Sequence, residues 1–158
     1  LTVACCGDQL RKLSTELPDN FSLPQGFSEA HFVQAGILAI QANPFKSEDS
    51  RKDIERLTKH LERFDWSTIP MVIVGDDSNF LAQNTNKFVW ATFTRANPSH
   101  DIYGVHAFTE FKHWGCRGAL VIDARIKPHH APELIPDPKV SAKVDHLFTK
   151  SGPLYDWR

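Results

Sequence analysis

Cysteine, methionine and tyrosine are scarce in this 158-residue chain: 3 Cys, 1 Met and 2 Tyr. Two of the cysteines are adjacent, Cys5 and Cys6. An odd count without regular spacing builds no disulfide framework and fits a reducing, cytoplasmic setting. Long apolar runs are also missing. None approaches the roughly 20 residues of a membrane span, and the opening "LTVACCGDQLRK" turns charged too soon for a secretory signal. Neither sign of charge is in excess, since 18 Lys and Arg meet 19 Asp and Glu for a net charge of −1. That balance predicts neither nucleic acid nor an anionic membrane as a partner. The chain does not open on Met, and "LTVACC" reads as the middle of an element, so a piece of a longer polypeptide is expected.

What is present is material for a core. Hydrophobic residues make up 41% of the chain, with 11 Phe and 4 Trp, which excludes disorder as its general state. The length suits one domain. In the first 20 residues Asp8 is in place to cap a short helix through Leu13 and Leu17. "LPDNFSLPQGFSEA" is a loop punctuated by proline and glycine. "HFVQAGILAIQA" is mostly apolar and reads as one strand covered on both faces, ended by Pro44.

"SEDSRKDIERLTKHLERF" is the clearest helix. Ile54, Leu57, Leu61 and Phe64 form one apolar stripe, Ser50 with Asp53 resembles a capping box, and Glu55 precedes Lys59 by one turn. "PMVIVGDD" is a short buried strand with Pro70 at its first position. A second helix runs through Phe88 to Thr94, with Val89, Trp90 and Phe93 on one side. "DIYGVHAF" and "GALVIDA" read as two further strands, too closely joined for a crossover helix and therefore antiparallel neighbours. The last helix takes Asp137 as cap and Pro138 as first residue, turns Val140, Val144, Leu147 and Phe148 inward, and stops at "SGP". Strands separated by helices predict a single α/β domain with a mixed, partly parallel sheet flanked by helices.

Four groups of residues carry possible chemistry. Asp76 and Asp77 follow a strand at its carboxyl end, where open α/β sheets bind ligands. They can either hold Mg²⁺ for phosphoryl transfer, with Lys127 as the accompanying lysine, or cap the next helix and meet solvent. "TRANPSHD" joins a helix to a strand, and an Arg95–Asp101 pair is expected to pin that turn, with a substrate role for Arg95 as the alternative. "HWGC" (His113 to Cys116) and "PHH" (His129, His130) lack the second ligand pair that zinc needs. His129 and His130 are expected to point apart, and nothing marks Cys116 as an activated nucleophile. Arg117, Arg125 and Lys127 concentrate positive charge around a buried strand, suited to a phosphate or carboxylate and equally compatible with surface charge.

The series "VIVGDD…NKFVWATFTRANPSHDI…GALVIDARIK" resembles the C-terminal part of the UbiD family of decarboxylases. Trp90-Ala91, Thr94-Arg95, Pro98, Asp101 and Asp123-Ala124 match that family in order and approximate spacing. The tail "HWGCRGALVIDARIKPHHAPEL" is most similar to members acting on phenolic or aryl acids, including the phenylphosphate carboxylase type. The resemblance implies reversible decarboxylation of an aromatic or unsaturated acid with prenylated FMN, a divalent metal (Mn or Mg) and often potassium. It also implies that the acid/base network and metal ligands lie in an N-terminal flavin-binding region upstream of this chain, so no catalytic or metal residue is carried over. Residues 1–158 would then be the family's C-terminal domain, inactive alone, completing an active-site wall and joining a homo-oligomer. Many members carry a flavin-phosphate lysine where this chain has Ala119; either Arg117, Arg125 or Lys127 replaces its charge, or the cofactor is held differently or its phosphate contact comes from elsewhere. Two other readings remain: a Mg²⁺-dependent phosphotransfer or phosphatase domain on Asp76 and Asp77, and a non-enzymatic interaction module with an exposed aromatic patch near Trp114 or Trp157.

Overall fold

The structure, a computed structural model, describes residues 7–8, 11–131 and 137–157. Cys5 and Cys6 lie outside the described residues. In chain order the elements are β1 (Phe27–Gln34), β2 (Ile37–Ala42), α1 (Arg51–Leu61), β3 (Met71–Gly75), α2 (Ser78–Ala82) and α3 (Thr85–Arg95). They continue with β4 (Ile102–Gly104), β5 (Ala107–Glu110), β6 (His113–Cys116), β7 (Leu120–Asp123) and α4 (Pro138–Leu147). Residues 11–20 contain no helix, so the one expected through Leu13 and Leu17 is not formed there.

The main sheet has five strands in the order β1-β2-β3-β7-β4. Its centre is parallel, β2 beside β3 and β3 beside β7, while β1 and β4 run antiparallel at the edges. This is the mixed α/β sheet expected, and β4 and β7 are the antiparallel neighbours expected. "HFVQAGILAIQA" is not one strand, however. Gly36, at φ +81°, reverses the chain between β1 and β2, a conformation open to glycine and costly to most other residues. Both-face burial holds only for the second half, where Leu38, Ala39 and Ile40 are all fully buried.

Alternation along the central strands sends side chains to two cores. Leu38, Ile40, Val72, Val74 and Val121 face α1, meeting the buried stripe Ile54, Leu57 and Leu61. Each of those three helix side chains contributes roughly 1.5–3 kcal/mol by leaving water, more than any exposed charge pair on the opposite face. Trp66 closes the helix by donating its Nε1–H to Leu61 O at 2.7 Å. Ala39, Ile73 and Ile122 face the other way, onto Leu81, Phe88 and Ala91 of α2 and α3.

Local chemistry at the element ends differs in places from expectation. The capping box lies one turn earlier, between Ser47 and Ser50 of a 3-10 turn, and Ser50 makes no side-chain cap on α1. Lys59 pairs with Glu62 at 2.5 Å rather than with Glu55. Asp137 and Pro138 begin α4 as anticipated, Asp137 accepting from Lys139 N at 2.8 Å. The faces of two helices are the larger corrections. On α3 the buried residues are Phe88, Ala91 and Thr92, which leaves Val89, Trp90 and Phe93 exposed. On α4 no residue is buried: Val140, Val144 and Leu147 are exposed and Phe148 is half-buried, so the stripe does not face inward.

"DIYGVHAF" also divides. β4 ends at Gly104, and β5 pairs with β6 as a separate two-stranded hairpin that rejoins the sheet at β7. A side chain at Gly104 would collide with Cys116, whose Cβ lies 2.4 Å from the position a Cβ would take.

Candidate functional site

Beyond the carboxyl ends of β3 and β7 the chain assembles two adjoining features, a buried ion-pair centre and an open cavity. The centre begins with Asp123, the last residue of β7, and Arg125 two residues on. Arg125 grips Asp123 with two nitrogens, Nε at 2.9 Å and Nη2 at 2.8 Å. It also donates to Asn43 O at 3.1 Å and Ser50 O at 2.9 Å, which ties β7 to the segment between β2 and α1. Lys127 reaches Asp101 Oδ2 at 3.2 Å and donates to Asp123 O at 2.9 Å. Arg51, the first residue of α1, meets Asp101 Oδ1 at 2.7 Å. All three cations lie over the Phe45 ring, 5.4–5.6 Å from its centroid.

Arg125, Lys127, Asp101 and Asp123 are essentially removed from solvent. Buried charges persist only when paired and hydrogen-bonded, and here each carboxylate is matched. Burial works against the charged form of Asp101, but the Asn97 N–H, Arg51 and Lys127 outweigh it and hold the carboxyl below its ordinary value. Arg51 is raised further above its usual range, first by Glu48 at 2.5 Å and then by Asp101.

The pairing differs from expectation. Asp101 does pin the "TRANPSHD" turn, accepting from Asn97 N at 2.7 Å while its own N–H donates to Asn97 O at 2.8 Å. Its cationic partners are Arg51 and Lys127 rather than Arg95. Arg95 turns the other way, with Nη1 3.7 Å from Asp76 Oδ2 and its guanidinium 5.4 Å from the Trp90 ring.

The cavity has a volume of about 800 Å³. Phe80, Leu81, Trp90 and Ile126 give it apolar walls, and Asp76, Asp77, Thr94, Arg95 and His130 supply polar groups. Asp77 caps α2 by accepting from Phe80 N at 2.8 Å. Asp76 is not simply solvated, because Oδ2 accepts from Ile126 N at 2.7 Å beside Arg95. His130 accepts the Lys127 N–H on Nδ1 at 3.1 Å; burial first, then the neighbouring His129 and cations, push it below its ordinary value. A neutral ring with Nδ1 accepting carries its proton on Nε2. His129 and His130 do not point apart; their rings pack edge to face at 4.7 Å.

The phosphotransfer reading loses its geometry here. Lys127 is committed to Asp101, Asp77 to a helix cap, and no group of three or more possible metal ligands occurs among the described residues. Two carboxylates in the wall also make the cavity a poor fit for a flavin phosphate, which wants donors and positive charge. Of the three cations named from the sequence, Arg125 and Lys127 face the interior. Arg117 sits on the exposed hairpin, 3.4 Å from Glu110 and over the Phe108 ring. Ala119 is fully buried in the core on the α1 side of the sheet. Cys116 is a free thiol raised by burial, the opposite of an activated nucleophile. No sequence signal marks Arg51 and Phe45 as parts of this centre. They lie 50 or more residues upstream of Asp101, and no local pattern announces a contact that only the sheet order creates.

Fold and site together define an open-sheet α/β domain with a ligand-sized cavity at the carboxyl end of its parallel strands. No family model matches the chain. It is 31% identical over 130 residues to a component of the 4-hydroxybenzoate decarboxylase of Chlamydia pneumoniae, covering 80% of this chain and 22% of that protein. It is also 31% identical over 117 residues to an uncharacterized protein of Chlamydia trachomatis serovar D, covering 73% and 18%. An evolved dimeric form of the UbiD-class enzyme HmfF from Pelotomaculum thermopropionicum, solved in complex with prFMN, matches 66% of this chain and 21% of its own. The TM-score is 0.41 and the identity 19%. The chain is similar to one part of a decarboxylase component. It spans about a fifth of the length of the curated relatives it matches.

Proposed function

We propose that this domain is the supporting lobe of a UbiD-like decarboxylase or carboxylase acting on an aromatic or unsaturated carboxylic acid. The observation that carries the reading is the relation to a decarboxylase component of which this chain covers only 22%. In this reading the N-terminal flavin-binding region of the whole protein holds prenylated FMN, its divalent metal and potassium, together with the acid/base groups. The lobe contributes a wall beside them and helps to join protomers into a homo-oligomer. Two exposed apolar faces support the docking role: Val89, Trp90 and Phe93 on α3, and Val140, Val144 and Leu147 on α4. The interior ion-pair centre suits a lobe that must keep one shape while its surfaces bind.

Titration of the chain with prenylated FMN, followed by flavin fluorescence and by an assay for CO₂ release from 4-hydroxybenzoate, tests this division of labour. Neither tight binding nor turnover is expected. Saturable submicromolar flavin binding, or turnover by the chain alone, overturns it.

A further inference from the structure

The β5–β6 hairpin carries a feature the decarboxylase reading does not use. Glu110 pairs with His113, so only Phe111 and Lys112 form the turn. Both have positive φ, +50° and +67°. A two-residue turn of this kind normally takes Asn-Gly, because a side chain is strained at each position. Here the two positions hold a phenylalanine and a lysine, and Phe111 is 94% exposed. An aromatic ring held in water on a strained tip is costly for the isolated fold. A contact that buries the ring offsets that cost.

The cavity beyond β3 is complementary to this tip. Phe80, Leu81, Trp90 and Ile126 give it apolar walls, Arg95 lies beside Asp76, and Asp77 at its edge has no ion-pair partner among the described residues. A phenylalanine followed by a lysine would fill the space with its ring and bring an ammonium to that carboxylate. The two features lie toward opposite poles of the molecule. The hairpin leaves the sheet after Gly104 and returns at Leu120, which pairs with Met71 at the amino end of β3. The cavity opens past the carboxyl end, beyond Gly75. Phe111 is not among the residues lining its own cavity.

We infer that the Phe111–Lys112 tip of one copy docks into the Asp77–Trp90 cavity of a second copy, a head-to-tail contact between identical chains. Such a contact uses two different patches, so it grows into a ring or an open array rather than closing as a two-fold dimer. It uses neither flavin nor α4 and shares only Trp90 with the α3 face assigned to the decarboxylase lobe, so flavin titration and sedimentation distinguish the failure of one from the failure of the other.

Sedimentation velocity with the purified chain is the test. The wild-type mass should rise with concentration. Phe111→Ser removes the plug and Thr94→Trp fills the mouth of the cavity, and each variant should remain monomeric. An equimolar mixture of the two retains one working tip and one working cavity, and should form a one-to-one dimer that grows no further. Asp77→Asn keeps the helix cap but removes the charge, and should weaken self-association about five- to tenfold. Phe111→Gly should abolish association while raising Tm by about 2–4 °C, because the turn strain is relieved. That separates a lost contact from a damaged fold. The inference is overturned by a wild-type chain that stays monomeric at about 100 μM, by variants that associate like wild type, or by a mixture that gives no dimer. Association abolished by Val144→Glu but untouched by Phe111→Ser would move the interface to α4 and overturn it as well.

Discussion

Asp101 shows how much depends on one buried carboxylate. It gathers Arg51 from α1, Lys127 from beyond β7 and the Asn97 N–H from its own turn, and it is 1% exposed. Removing its charge strands two cations, one of them in the interior, so Asp101→Asn should cost about 3 kcal/mol at neutral pH. Its folded pKa lies below the ordinary 3.8. The stabilisation is therefore complete above the unfolded value and fades as pH falls through the lower, folded one. Urea unfolding of wild type and Asp101→Asn at a series of pH values checks this. The gap between them should be widest near neutrality and narrow only below pH 3.8. A gap that closed near pH 6 instead would implicate a histidine.

Among the elements, strand limits depend more on distant contacts than helix limits do. The β1–β2 turn depends on Gly36, which has φ +81° and whose Cβ, if present, would lie 2.9 Å from Leu13 Cδ2. Gly36→Ala should therefore destabilise by about 1–2 kcal/mol, mostly through the left-handed backbone, since Leu13 is half exposed and free to shift. Chemical denaturation should show this as a lower midpoint with an unchanged slope. Helix α3 illustrates a different point. Any helix with apolar residues at Phe88, Val89, Trp90, Ala91 and Phe93 has two plausible inner faces. The sheet takes the one built from Phe88 and Ala91, which pack in one cluster with Ala39, Ile73 and Ile122.

For the molecule as a whole, cohesion is uneven. The five-stranded sheet with α1 on one side and α2 and α3 on the other holds most of the two cores, and Trp66, Ile69, Val105, Ala119 and Ala124 join them from the connecting segments. Helix α4 contributes none. In the isolated chain its amides should therefore exchange with solvent far faster than those of α1, by orders of magnitude where α1 requires global opening. Hydrogen exchange read by mass spectrometry over residues 138–147 and 51–61 decides the matter. Protection of α4 appearing only in an assembled form would support its use as a contact, and protection equal to that of α1 would count against it. Among the described residues no helix is long and apolar enough to cross a membrane.

What the sequence by itself determined is the set of local structures whose causes lie within one turn of helix or along one strand. The stripe Ile54–Leu57–Leu61, the continuous "MVIV" and "LVID" runs, and the Asp77 and Asp137 caps each depend on neighbours a few residues away. They appear where their chemistry places them. Tertiary structure alone decided which face of α3 is inner, that α4 has no buried residue, and that "DIYGVHAF" divides between two sheets. It also decided the ion pairs, giving Arg95 to Asp76 and Asp101 to Arg51 and Lys127. The physical reason is that periodicity says which residues share a side but not what stands opposite. A charge chooses among partners by the three-dimensional distances that sheet order sets, and Arg51 and Asp101 are neighbours only because β4 and β7 lie under the start of α1.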